Sequence, residues 1–230
     1  MKEVFFFFFQ IEILEAGFFL KGKMISMEEK KTAWNTRSIA RIAIFSAVTI
    51  LLYVVPIFQF KIPSVFPSFL EFHFDEIPVM IAGFAYGPWT AFWILMIRTL
   101  AKLPFTSTVC VGELSDFIYS LAFIIPTSIL YQKHRNLKGV CMGFLLGFSL
   151  EIIVSAICNC YFMIDFYLFL FKGLTKETLL ASCQAINPRI QDIHGSLTVW
   201  AIIPFNAIKN LIVILVTFMV YKSLSPILKK

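Results

Sequence analysis

Four stretches of the chain are apolar for about twenty residues at a time, and this feature limits the fold more than any other. They run from Ile39 to Val55 (stopped by Pro56), from Val111 to Tyr131, from Gly139 to Met163 and from Thr198 to Tyr221. A segment of about 20 apolar residues matches the hydrocarbon thickness of a bilayer. Inside lipid every backbone N–H and C=O must be satisfied within the segment, which selects the helix. With 59% hydrophobic and 15% charged residues, the chain exceeds what water-soluble domains carry. Two shorter apolar stretches lie between the first and second of these. Asp75 stands as an N-cap, Pro78 fits a first turn, and a helix to about Tyr86 follows. Gly87-Pro88 breaks it, and Pro88 opens another helix to about Lys102. Both are short for a full crossing and read as a tight hairpin. The expected fold is an all-α membrane protein of six transmembrane helices.

The first residues stand apart. Phe5 to Phe9 is a run of phenylalanines, and Glu12 and Glu15 interrupt the apolar stretch after it. The run is short for a span, and it lacks a good cleavage pattern for a signal peptide. Met24 and Met27 are alternative starts, so residues 1–36 read as an N-terminal extension and residues 37–230 as one membrane domain.

Basic residues collect at three places: Lys30, Lys31, Arg37 and Arg41; then Lys133, His134, Arg135 and Lys138; then Lys229 and Lys230. These segments are expected in the cytoplasm, which requires an even number of crossings and puts both termini inside. The two long connections, with mixed charge, then face outward. One holds Lys61, Glu71, Asp75 and Glu76; the other, a polar stretch of about 30 residues, holds Asp165, Lys172, Lys176, Glu177, Arg189 and Asp192. The net charge of +6 follows from this asymmetry rather than from nucleic-acid binding. The five cysteines match no common zinc spacing and read as small packing residues. There is no phosphate-binding loop, no H-E-x-x-H and no G-x-S-x-G. The chain is therefore expected to be no enzyme, to need no metal or cofactor, and to draw energy from a partner or a gradient.

Ionisable groups in a spanning helix are costly and tend to have a partner or a function. The last helix carries Asn206, Lys209 and Asn210; the fifth carries Asn159; Glu113 and Asp116 open the fourth; Arg98 and Lys102 close the third. All fall toward the outward end of the predicted bundle. Together with aromatic loops they suit a flat aromatic ligand with polar edges. Mutual pairing, such as Lys209 with Glu113 or Arg98 with Asp116, is the competing reading. Glu151, midway along the fifth helix, has no evident partner. Small residues form a second pattern. Ala43-x-x-x-Ala47 makes a close-approach face on the first helix. Gly139, Gly143 and Gly147 make another, expected to pack within the bundle.

From Arg37 to Leu228 the chain resembles the substrate-binding S components of energy-coupling factor (ECF) transporters, and within them the riboflavin-binding group. The marks are Ala43-x-x-x-Ala47, Phe72-His73-Phe74-Asp75-Glu76-Ile77-Pro78, Gly83-Phe84-Ala85-Tyr86-Gly87-Pro88, Gly112-Glu113-Leu114 with Asp116-Phe117, Ile186-Asn187-Pro188-Arg189-Ile190, and Pro204-Phe205-Asn206-x-x-Lys209. The resemblance implies six helices in a bacterial cell membrane and capture of riboflavin from outside. It also implies docking on a membrane T component driven by two ATPase subunits. It implies that Ala43 and Ala47 meet the T component and that Asn159, Asn206 and Lys209 hold the ring system. The loop bearing Phe66, Phe69, Phe72 and Phe74 would cover the ligand, with Glu113 in the same site. An S component for another vitamin, such as thiamine or folate, is the alternative. Glu151 departs from the apolar residue expected there.

Overall fold

Helix starts and stops follow the proline and glycine punctuation of the sequence closely. The computed structural model describes residues 35–228, with side chains as far as Tyr221. The alternative starts at Met24 and Met27, and the extension over residues 1–34, lie outside the described residues. The chain divides into two units, residues 1–39 and 40–230, and the candidate site belongs to the second. Helix α1 spans Thr36–Val54, α2 Glu76–Tyr86, α3 Pro88–Lys102, α4 Val111–Lys133 and α5 Leu137–Cys158. A π-helical turn, Asn159–Met163, continues α5 into α6, Ile164–Leu170. Then come α7, Lys176–Ile186, and the short α8, Gly195–Leu197; a second π turn, Thr198–Ile202, runs into α9, Ile203–Leu228. Among the described residues all regular structure is helical, apart from one isolated antiparallel bridge between Phe60 and Phe72.

Four of these stretches are long and apolar enough to cross a membrane: Thr36–Val54, Val111–Lys133, Leu137–Leu170 and Gly195–Tyr221. Helices α2 and α3 have 11 and 15 residues, or about 16 and 22 Å at 1.5 Å per residue, short of a bilayer of about 30 Å. They pack on each other as the short hairpin the sequence suggests. Gly87 joins them at φ 97°, a conformation L side chains rarely adopt.

Two local readings change. Asp75 precedes α2 but does not cap it: its backbone is already helical and its side chain accepts no capping hydrogen bond. The carboxylate instead meets Arg98 and His73. The stretch read as a polar connection after the fifth helix contains α7, opened by a reciprocal cap. Thr175 Oγ1 accepts from the Thr178 N–H at 3.3 Å, and Thr178 Oγ1 accepts from the Thr175 N–H at 3.0 Å. Ahead of α8, the Asp192 carboxylate accepts backbone N–H groups of His194, Gly195 and Ser196. These bonds push its pKa down to about 2.

The main core gathers α2, α3, α4, α5 and α9, with Met80, Phe84, Leu95, Phe123, Phe144 and Val213 at its centre. A second cluster, with Leu179, Cys183, Ile190 and Leu197, ties α7 to the start of the last long helix. The glycine stripe of α5 lies inside the bundle against α4. A Cβ on Gly147 would come within 2.2 Å of Thr127 Oγ1 and 2.4 Å of the Phe123 carbonyl, and one on Gly143 within 3.0 Å of the Thr127 carbonyl. Gly147→Val is therefore expected to lower stability by about 3 kcal/mol, at the upper end of overpacking costs, measured by thermal unfolding in detergent. An unchanged midpoint would mean that the helices separate easily.

Candidate functional site

Four helices and one loop meet at a buried group of charges. Asp116 on α4 is its hinge. The Lys209 ammonium on α9 lies 2.7 Å from Asp116 Oδ1 and 3.0 Å from Glu76 Oε1 on α2. Arg98 on α3 donates from Nη2 to Asp116 Oδ2 at 2.5 Å and to Ser120 Oγ at 2.9 Å, and its Nη1 pairs with Asp75. Ser120 in turn donates to Glu76 Oε1 at 2.6 Å. His73, from the loop before α2, hydrogen-bonds Asp75 and has Nε2 3.3 Å from Asp116 Oδ1. Burial, with the Lys209 ammonium second, holds the His73 imidazole below its ordinary pKa, against the pull of Asp116. Tyr53 on α1 lays its ring against Arg98, 4.5 Å from the guanidinium carbon. Each cation meets two carboxylates, which is the arrangement that makes buried charge tolerable. His73, Asp75 and Asp116 bring ligand atoms within 4.8 Å of one another. Both carboxylates are engaged by Arg98 or Lys209, so the group is an ion-pair hub.

A cavity opens beside this hub. Its polar lining includes His73, Lys102, Glu113, Asp116, Asn159, Asn206 and Lys209, and its aromatic walls are Tyr53, Phe69, Tyr119, Tyr167 and Phe205. The π turn of α5 begins at Asn159, and such turns re-aim side chains within a helix. Asn159 Nδ2 donates to Tyr119 Oη at 2.7 Å and to the Ser155 carbonyl at 2.9 Å. Asn206 is 5% exposed and has no hydrogen-bond partner among the described residues. Buried amides are nearly always bonded, so this one is free to meet a ligand.

Of the residues singled out from sequence, Asn159, Asn206, Lys209 and Glu113 come together on this cavity. Phe72 and Phe74 do not line it. Phe72 is buried behind the wall, its ring centroid 4.5 Å from that of Phe205, and Phe74 leans on Phe60. The Phe60–Phe72 bridge turns this part of the loop inward on itself. Phe69 is the loop phenylalanine that faces the cavity. Arg98 pairs with Asp116 as the competing reading suggests, but Lys209 pairs with Asp116 and Glu76 instead of Glu113. Glu151 has a partner after all: its Oε2 accepts from Asn210 Nδ2 at 2.6 Å. Ala43 and Ala47 are exposed, outside the buried face that Ile42, Ser46, Thr49 and Tyr53 form on α1. Tyr53, Glu76 and Ser120 join the site although the sequence reading does not single them out for it. Their positions are unremarkable in sequence, although Ser46, Thr49 and Tyr53 form a polar stripe at helical spacing that marks the inward face of α1.

Apolar spanning helices around a buried cavity, with a network of ion pairs on one side and an unpartnered amide in its wall, define a membrane protein built to hold a small polar molecule. The chain belongs to the family of ECF transporter substrate-specific components, whose family model matches residues 37–221. It is similar to the riboflavin transporter RibU of Staphylococcus aureus (strain TCH60), at 24% identity over 85% of this chain and 96% of that one. It is also similar to the riboflavin transporter FmnP of Bacillus subtilis (strain 168), at 24% identity over 82% of this chain and 93% of that one. RibU of Streptococcus thermophilus (strain ATCC BAA-250 / LMG 18311) is 27% identical over 85% of this chain and 86% of that one. A solved S component of a bacterial ECF transporter has the same fold, with a TM-score of 0.62 at 23% identity, covering 84% of this chain and 98% of that one.

Proposed function

We propose that this chain captures riboflavin at the outer face of a bacterial cell membrane and delivers it to an ECF T component driven by two ATPase subunits. One observation carries the reading: the cavity joins aromatic walls to an unpartnered buried amide, Asn206, beside Lys209 and Asn159. A flavin ring offers flat apolar faces and an edge of alternating acceptors and donors, which such a lining matches. Three relatives that cover most of this chain are named riboflavin transporters, which supports the same ligand. The sequence holds no phosphate-binding loop, so ATP hydrolysis falls to the partner subunits. In this reading the α2–α3 hairpin completes six crossings with both termini in the cytoplasm, as the placement of Lys and Arg favours.

The test is a titration of the purified protein with riboflavin, followed by flavin fluorescence. Saturable one-to-one binding not competed by thiamine or folate is the expected result. A folded, flavin-free protein that binds thiamine or folate instead would move the assignment to that vitamin.

The exposed Ala43–Ala47 face is the contact with the T component in this reading, since small residues let two helices approach closely. Ala47→Leu is expected to abolish uptake in cells carrying the full transporter while leaving riboflavin affinity within about twofold. Lost affinity would place this face inside the folded subunit.

A further inference from the structure

Two charges on the cavity lack an opposite charge. Asp116 and Lys209 neutralise each other within the hub, and Glu71 pairs with Lys61 at 2.9 Å. Lys102 and Glu113, 8% and 4% exposed, form no ion pair among the described residues. Lys102, the last residue of α3, touches the Tyr53 ring, with Nζ 5.3 Å from its centroid, and otherwise faces the cavity. Glu113, in the first turn of α4, accepts the Thr106 and Thr108 hydroxyls at Oε2, at 2.8 and 3.0 Å. Its Oε1 has no described donor.

The two residues flank one short connection, residues 103–110. Its shape is held by Thr106 Oγ1, which accepts the backbone N–H groups of Thr108 and Cys110 at 3.2 and 2.9 Å. Val109 and Cys110 sit at φ 53° and 68°, a conformation that non-glycine residues hold only when their surroundings enforce it. The connection therefore delivers a donor-only ammonium and an acceptor-only carboxylate to the same cavity.

We propose that Lys102 and Glu113 form a subsite for an uncharged polyhydroxy chain on the ligand, which on the proposed flavin reading is the ribityl chain. An ammonium can only donate hydrogen bonds and an ionised carboxylate can only accept them. A hydroxyl does both, so a run of hydroxyls satisfies the two groups at once. A phosphate ester keeps the other hydroxyls of the chain, but its fully ionised phosphate group only accepts, and it would meet Lys102 while being repelled by Glu113. An apolar substituent would leave two buried charges uncompensated. The subsite thus selects for the free alcohol over its phosphate ester.

The experiment titrates wild type, Lys102→Met and Glu113→Gln with three probes: riboflavin, riboflavin 5′-phosphate, and lumiflavin, which carries methyl in place of the ribityl chain. Wild type should prefer riboflavin to its phosphate ester. Lys102→Met should lose about tenfold in riboflavin affinity, the size of one hydrogen bond to a charged group. Its lumiflavin affinity should stay within about twofold of wild type, which also shows that it folds. Glu113→Gln should keep lumiflavin binding and narrow the gap between riboflavin and its phosphate ester. Equal losses for riboflavin and lumiflavin in both variants would overturn the subsite. So would a wild type that prefers the phosphate ester and loses that preference in Lys102→Met. A folded wild type that binds none of the three flavins would defeat the riboflavin reading itself, a result distinct from either.

Discussion

Asp116→Leu is expected to cost about 3–5 kcal/mol of stability, the range for removing one partner from a buried ion pair. The substitution strips one carboxylate from Arg98 and one from Lys209 together, and both cations are nearly inaccessible to water. Arg98 keeps Asp75 and Lys209 keeps Glu76, so the hub survives in part. What it loses is the residue that joins α3 and α9 through α4. Asp116→Asn retains the shape and can still accept one hydrogen bond, so it should fall between wild type and leucine. Thermal unfolding in detergent, without ligand, reads both variants. A leucine variant within about 1 kcal/mol of wild type would show that the hub's charges are solvated and that its pairs carry little stability.

The helices were legible because their signals are local. Proline and glycine mark Pro56, Gly87-Pro88 and Pro104, and lipid demands apolar runs of fixed length between them. Helix α7 is the exception: its polar composition reads as a connection, and its start is marked only by the Thr175–Thr178 cap. The polar residues of the site were legible as a group, since ionisable and amide side chains stand out in apolar helices. Their pairing was legible only for Arg98 with Asp116. Glu76 reads as part of a mixed-charge loop, yet it reaches Lys209, far along the sequence, because α2 and α9 pack together. Asn210 was visible one position from Lys209, but nothing in its surroundings announces Glu151 as its partner. The phenylalanines of the 59–75 loop share one residue type, and the backbone bridge at Phe60 and Phe72 decides which of them faces the cavity. Periodicity carries no information about such a loop.

Asn206→Ala is expected to separate binding from folding more cleanly than any other change on the cavity. Its side chain is buried, yet no described residue accepts from it or donates to it, so truncation breaks no internal hydrogen bond. Stability should stay within about 0.5 kcal/mol of wild type, as for changes that disturb no packing or network. Riboflavin affinity should fall about 10- to 100-fold, the equivalent of one or two hydrogen bonds lost in a dry site. Asn159→Ala is the contrast. Its amide is already engaged by Tyr119 and the Ser155 carbonyl, so alanine there leaves the Tyr119 hydroxyl without that donor and should lower stability as well as affinity. Titration and unfolding on the same two samples distinguish the roles. If Asn206→Ala lost stability and Asn159→Ala did not, the amide that waits for the ligand would be Asn159, and the ring would sit against α5 rather than α9.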